Sequence, residues 1–480
     1  MNRKMILYVI GQILLIEAAC LMLPFATALI YSESVWWVYL AVSLCAAFLG
    51  AGLMLTCKVR NSVIFAKEGF VITALSWIIL SLVGALPFWI AGEIPSYVDA
   101  IFETVSGFTT TGASILSAPQ NLTHAAMIWR SFTHWLGGMG VIVLVMALMP
   151  SVTGRSMHIL RAEVPGPSVD KLVPKVRDSS KILYLIYITL TLSEIIVLWA
   201  CGMPLFESIV HSVGTAGTGG FGIKPDSIGG YAPILQWVIT IFMLMFGVNF
   251  NVYYLILRRR LGSVVKSLEL WVYVGIVALA VAIISFNIYP MYSGASETLR
   301  VSAFQVSSII TTTGYSTVDF NLWPTLSKGI LFILMFFGGC AGSTAGGLKL
   351  TRVILLFKII RREIQRILHP RSVTTVQIDG KRVDEDTLQG VGSYFIVYMI
   401  IFAVVFLLIC FEPFGLETNI SAVNACFNNI GPGFSAVGPA ANFSIYSDFS
   451  KIVLSFAMLL GRLEIYPILF MLIPSTWTKK

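Results

Sequence analysis

Four short stretches decide how this 480-residue sequence is read: Glu103-Thr-Val-Ser-Gly-Phe-Thr-Thr-Thr-Gly112, Val210-His-Ser-Val-Gly-Thr-Ala-Gly217, Val306-Ser-Ser-Ile-Ile-Thr-Thr-Thr-Gly314 and Asn424-Ala-Cys-Phe-Asn-Asn-Ile-Gly431. Each ends in glycine after small or polar residues, and the glycines fall 105, 97 and 117 residues apart. Self-similarity at a near-regular spacing marks an internal repeat. The longer segments that hold them, 97–114, 204–222, 297–316 and 417–435, each begin as a short helix. They are too short and too glycine-rich to cross a bilayer.

Working outward, each segment lies between two apolar runs near the roughly 20 residues that a helix needs to span hydrocarbon. The pairs are 70–91 with 123–149, 181–201 with 232–257, 269–290 with 327–360, and 392–411 with 451–474. Two further runs, 6–30 and 35–57, lead the chain, which gives ten full spans. The basic start Met1-Asn-Arg-Lys4 resembles a secretory leader, but its apolar run is too long and lacks a small-residue cleavage site, so it reads as a retained span. Composition agrees: 57% of residues are apolar, 12% are charged, and mean hydropathy is +0.84. A soluble domain carries about twice that charged fraction.

The net charge of +8 does not form a nucleic-acid surface, because the basic residues alternate between loops. Of the 32 Lys and Arg, 26 fall at the N-terminus, in 58–67, 155–181, 258–266 and 349–382, and at Lys479 and Lys480. By the positive-inside bias those segments and both termini face the cytoplasm. The seven cysteines are scattered without a CxxC pair and read as small core residues rather than disulfides or metal ligands. With five His and no nucleophile–base or carboxylate pair gathered in the spans, no enzyme, cofactor or nucleic-acid partner is expected.

The expected fold is an all-α membrane protein with four tandem helix–pore loop–helix repeats around a pseudo-fourfold pore. Two helices (1–60) precede repeats at 61–155, 156–265, 266–370 and 371–480. Irregular backbone at membrane depth is tolerated where it lines an aqueous path, and rings of carbonyl oxygens can replace the hydration shell of an alkali cation. The expected filter is Thr110, Thr111 and Gly112; Thr215, Ala216 and Gly217; Thr312, Thr313 and Gly314; and Asn429, Ile430 and Gly431. In the second loop Gly217, Gly219 and Gly220 all compete, and counting from the pore-helix start favours Gly217. A short helix ending near the axis presents the negative end of its macrodipole to a cation. Asp99, Glu103, Glu207, Glu297 and Glu417 at the helix starts are expected to cap them and to make the outer mouth acidic.

The second span of the third repeat is interrupted by Gly338-Gly-Cys-Ala-Gly-Ser-Thr-Ala-Gly-Gly347. Glycine in a helix interior costs about 1 kcal/mol relative to alanine. Gly338, Gly339, Gly342, Ser343, Thr344, Gly346 and Gly347 therefore read as a loop able to obstruct the path. Arg462, in the last span with Glu464 nearby, needs partners at that depth, and loop carbonyls suit its five N–H donors. Arg130 and His134, four apart on one helix face, read as a structural contact with a pore loop.

Ser106-Gly-Phe-Thr-Thr-Thr-Gly-Ala-Ser114, Trp135-Leu-Gly-Gly-Met-Gly140, Asn428-Asn-Ile-Gly-Pro-Gly-Phe434 and Gly461-Arg-Leu-Glu464 together resemble signatures of the TrkH and KtrB superfamily of microbial potassium transporters. The two leading spans place the resemblance with TrkH. It covers essentially the whole chain and implies K⁺ as the transported ion, since a serine at the first filter glycine goes with Na⁺ in related transporters and this chain has Gly112. It also implies that Arg462 contacts the glycine-rich loop and hinders passage. A homodimer and a separate cytoplasmic nucleotide-binding ring of the TrkA type are the implied partners. Two alternatives fit less well: a carrier built on inverted repeats, because these repeats share one orientation, and a KdpA-type subunit, which would need a P-type ATPase.

Overall fold

The computed structural model describes residues 2–57, 66–140, 176–372 and 374–477. The basic segment 58–65 and most of 155–181 lie outside the described residues, as do the last third of the run at 123–149 and the last three residues. Six helices among the described residues are long and apolar enough to cross a bilayer. They are α1 (Arg3–Ile30), α2 (Trp36–Thr56), α3 (Ala66–Ile90), α6 (Val176–Ala200), α10 (Leu268–Ile288) and α14 (Glu385–Ile409). Helices α1 and α2 cross at Gly11 and Gly50, each of which faces the other's carbonyl so closely that a Cβ would not fit. Small residues at such a crossing let backbones approach where no hydrophobic drive separates helix from lipid. Large apolar side chains such as Phe48, Phe286 and Phe411 point outward, as a lipid-facing surface requires.

The four short helices are α4 (Tyr97–Phe108), α7 (Leu205–Gly217), α11 (Ala295–Ile310) and α15 (Leu416–Phe427). They form the centre, and their C-terminal halves are almost wholly buried. Several buried threonines there bond to the preceding turn, as in Thr109 Oγ1 to the Val105 carbonyl (2.7 Å) and Thr311 Oγ1 to the Ser307 carbonyl (2.7 Å).

Outside the third repeat, the second helices differ from the expected uninterrupted spans. Helix α5 (His124–Gly138) ends at its glycines. The run at 232–257 is two helices, α8 (Pro233–Phe246) and α9 (Phe250–Leu257), bent by 89°. In the third repeat α12 (Thr325–Phe337) and α13 (Leu350–Leu368) flank the glycine-rich break. In the fourth, α16 (Asp448–Arg462) and α17 (Tyr466–Leu472) are separated by Glu464 and Ile465, both at positive φ. In the first three repeats, backbone groups freed at these breaks bond to other repeats. Between α13 and α14 a small antiparallel hairpin pairs Gln377–Ile378 with Lys381–Arg382.

Candidate cation pathway

All four short helices end in the same hydrogen-bond pattern, and that pattern fixes the register of the loops. In the first, Thr110 N–H donates to the Gly107 carbonyl and Thr111 N–H to Ser106. The second has Thr218 to Thr215 and Gly219 to Gly214. The third has Thr312 to Ile309 and Thr313 to Ser308, and the fourth Asn429 to Cys426 and Ile430 to Ala425. This is the Schellman arrangement, whose first residue past the helix takes a left-handed conformation. Thr110, Thr218, Thr312 and Asn429 all do, with φ between 54° and 56°.

Two residues further on, Gly112, Gly220, Gly314 and Gly431 are left-handed as well. The equivalent glycine of the second loop is therefore Gly220, and the expectation of Gly217 is corrected. Gly217 is the last residue of α7, packed on the His134 carbonyl; Thr215 and Ala216 lie within that helix. Counting between glycines failed because Gly217 is a packing glycine one residue before the Schellman turn.

The four glycines close a ring. A Cβ on Gly112 would fall within 3.0 Å of the Gly219 carbonyl oxygen, one on Gly220 within that distance of Thr313, one on Gly314 of Ile430 and one on Gly431 of Thr111. Each loop thus abuts the next in chain order, and the last returns to the first. The positive φ and the absence of space both demand glycine. Beneath the ring, Thr109 and Thr111 share a hydroxyl contact of 2.8 Å, Thr311 and Thr313 another of 2.8 Å, and Asn429 Nδ2 donates to Thr111 Oγ1 at 2.9 Å.

On one side the four ring glycines line an open vestibule together with Ser114, Ser316, Arg130 and Lys224. No carboxylate is among its described lining residues, which corrects the expected acidic mouth. Each of the five acids is neutralised or bonded: Asp99 by Lys451 (2.5 Å), Glu103 by the lining Arg130 (2.5 Å) and Glu417 by Lys328 (3.6 Å), while Glu207 accepts from Tyr231 (2.7 Å) and Glu297 from Ser293 Oγ (2.9 Å). Arg130 also donates to the Gly222 carbonyl (3.0 Å) and Ser114 Oγ (3.0 Å) and lies over the Phe221 ring, so it ties the first two loops together. His134 meets the Gly107 carbonyl at 2.8 Å through Nδ1.

On the opposite side sits the glycine-rich break. Gly346 N–H donates to Thr312 Oγ1 at 2.6 Å, so the loop reaches the inner end of the third strand, and Gly346 also faces Asn428 and Asn429. Gly338, Gly342 and Gly347 have positive φ, Gly339 stands against Gly247, and Ser343 Oγ donates to the Cys340 carbonyl. Thr344 links the loop outward, its hydroxyl donating to the Phe246 carbonyl (3.2 Å) and its own carbonyl accepting from Arg462 (2.9 Å). Arg462 Nη2 donates to the Gly137 and Gly138 carbonyls at 2.5 and 2.7 Å. One guanidinium therefore joins the third-repeat loop to the end of α5.

Sequence reasoning missed several partners of this loop. Lys349 is buried at positive φ, with Nζ on the Ala345 carbonyl at 2.5 Å. Arg352 pairs with Glu464, and Glu269 accepts from Ala341 N–H and the Thr351 hydroxyl. The bend at 247–249 docks the loop through Cys340 N–H to the Gly247 carbonyl and Phe250 N–H to Gly342. Gly-Val-Asn inside an apolar run was the available signal for that bend.

Six membrane-length helices around four in-register re-entrant loops define a polytopic pore-loop membrane protein. The TrkH family profile, described as cation transport protein, matches residues 38–275 and 264–479. The Trk system potassium uptake protein TrkH of Salmonella typhimurium is 35% identical, over 99% of this chain and 100% of its own length. TrkG of Escherichia coli, also a Trk system potassium uptake protein, is 34% identical over 99% and 98%. The crystal structure of the potassium transporter TrkH from Vibrio parahaemolyticus superposes with a TM-score of 0.89 at 30% identity, covering all of both chains. This chain belongs to the TrkH family of cation transport proteins, which are transporters and not enzymes.

Proposed function

We propose that this chain takes up K⁺ across the bacterial inner membrane by channel-like conduction between its four loops. The observation that carries the reading is the closed ring in which each of four glycines abuts the carbonyl of the next loop. Residues 110–112, 218–220, 312–314 and 429–431 are the filter, whose carbonyls stand in for water around a desolvated cation. The converging C-terminal ends of α4, α7, α11 and α15 add negative potential below it. The names of the relatives support K⁺ as the ion.

The vestibule faces outside and both termini face the cytoplasm, in keeping with the basic loops. The 338–347 loop is the gate: it lies under the filter strands, and Arg462 holds it there. A cytoplasmic nucleotide-binding ring sets the state of this gate, and the membrane subunit works as a homodimer, as the family resemblance implies. The test is uptake of Rb⁺ into proteoliposomes against K⁺ or Na⁺ competitors. Competition by K⁺ and not by Na⁺ is expected; equal competition would remove the selective filter.

A further inference from the structure

Glu194 stands in the middle of α6, fully buried, with neither carboxyl oxygen in a well-formed hydrogen bond among the described residues. It abuts the Thr215 hydroxyl of α7. The titratable groups facing it are Tyr187 on its own helix and Tyr315 from the third loop. Each of these hydroxyls gives its hydrogen elsewhere: Thr215 to the His211 carbonyl (2.8 Å), Tyr315 to the same carbonyl (3.2 Å), and Tyr187 to the Trp135 carbonyl (3.0 Å). Among the described residues the site therefore offers oxygen lone pairs and no donor. An ionised carboxylate is acceptor-only and is costly to bury without donors, whereas a carboxylic acid brings a donor of its own.

We propose that Glu194 is a proton-binding site: it is held as a neutral acid whose O–H donates to Thr215 Oγ1, and this bond positions the second and third loops. Thr215 accepts from Glu194 while donating to His211, and the same His211 carbonyl takes Tyr315, which directly follows Gly314. The chain of bonds thus runs from the first helix of repeat 2 to the ring glycine of repeat 3. An ionised Glu194 would compete for the Thr215 and Tyr315 hydrogens and release Tyr315 from behind Gly314.

Infrared difference spectra in H₂O and D₂O test the proton directly. The wild type is expected to show the C=O stretch of a protonated carboxylic acid, with intensity lost in Glu194→Gln. Glu17, also buried without a hydrogen bond, is the control, since Glu17→Gln leaves the Glu194 band in place. Glutamine can donate from its amide, so Glu194→Gln keeps Rb⁺ uptake and discrimination against Na⁺. Glu194→Leu retains bulk without a donor and is expected to lose roughly fivefold in that discrimination, the equivalent of one hydrogen bond. The selectivity readout rests on the filter reading above; the infrared readout does not. A spectrum unchanged by Glu194→Gln overturns the proton site, and a folded Glu194→Leu with wild-type discrimination overturns the positioning role.

Discussion

Gly112 faces the carbonyl oxygen of Gly219 so closely that a methyl group has no place between them, and Gly220 faces Thr313 in the same way. By contrast Gly217 meets the backbone and side chain of His134 on α5, away from the vestibule. The two glycines of the second loop therefore have different duties. Gly220→Ser is expected to reduce the K⁺ over Na⁺ ratio, because a left-handed non-glycine costs about 1–2 kcal/mol and its side chain displaces the Thr313 carbonyl. Gly217→Ala is expected to lower the unfolding temperature while the folded fraction keeps its ratio. Flux ratios and melting curves on both variants check the register; the reverse pattern would restore Gly217 to the ring.

The Glu103–Arg130 pair is buried on both sides, with side chains 0% and 6% exposed. Removing one partner of such a pair leaves an uncompensated charge and costs about 3–5 kcal/mol, whereas replacing both by apolar groups is often near neutral. Arg130→Met should therefore destabilise the purified protein strongly, and Arg130→Met with Glu103→Leu should recover much of the loss. Thermal unfolding in detergent measures both. Equal loss in the single and double variants would show that the Arg130 bonds to Gly222 and Ser114 carry the stability instead.

Topology is tested by cysteine labelling in sealed cells, after the native cysteines are replaced. Ser372→Cys sits in an exposed segment after α13, and Ser168→Cys in the basic linker. Both are expected to react with a membrane-impermeant reagent only after the cells are opened. Asp226→Cys, exposed beside the vestibule, is expected to react in intact cells. Labelling of Ser372→Cys from outside would invert the orientation.

Much of this architecture is legible in the sequence, because four glycine-ended polar runs between apolar runs have few other readings. Arg462 is legible for a related reason: a lone charge inside an apolar run needs partners. What sequence does not carry is which glycine meets a carbonyl. Gly217 and Gly220 differ only in their place relative to the Schellman bonds, and those depend on where α7 stops. The bend at 247–249 is hidden because its free backbone groups are satisfied by residues 340–342, nearly a hundred positions away. Lys349 and Arg352 sit at the head of a basic run, so the positive-inside bias accounts for them before any buried role is sought.

The last prediction concerns the gate. Arg462 donates to the Thr344 carbonyl from the loop and to Gly137 and Gly138 from α5, while Gly346 N–H reaches Thr312 under the ring. If the loop obstructs the path, shortening it within 338–347 removes the obstruction without touching the ring, so K⁺ flux should rise severalfold while the preference over Na⁺ is largely kept. Arg462→Ala should act in the same direction, since it deletes a positive charge near the cation path and the donor that holds Thr344. Three carbonyls lose a charged donor in that variant, at about 1.5–3 kcal/mol for a bond of this kind, so some loss of thermal stability is expected beside the gain in flux. A loop that serves only to pack helices predicts lower flux together with lower stability. Paired flux and melting measurements on purified protein separate the two, and reduced flux in folded protein for both variants would remove the gate while leaving the four-loop ring intact.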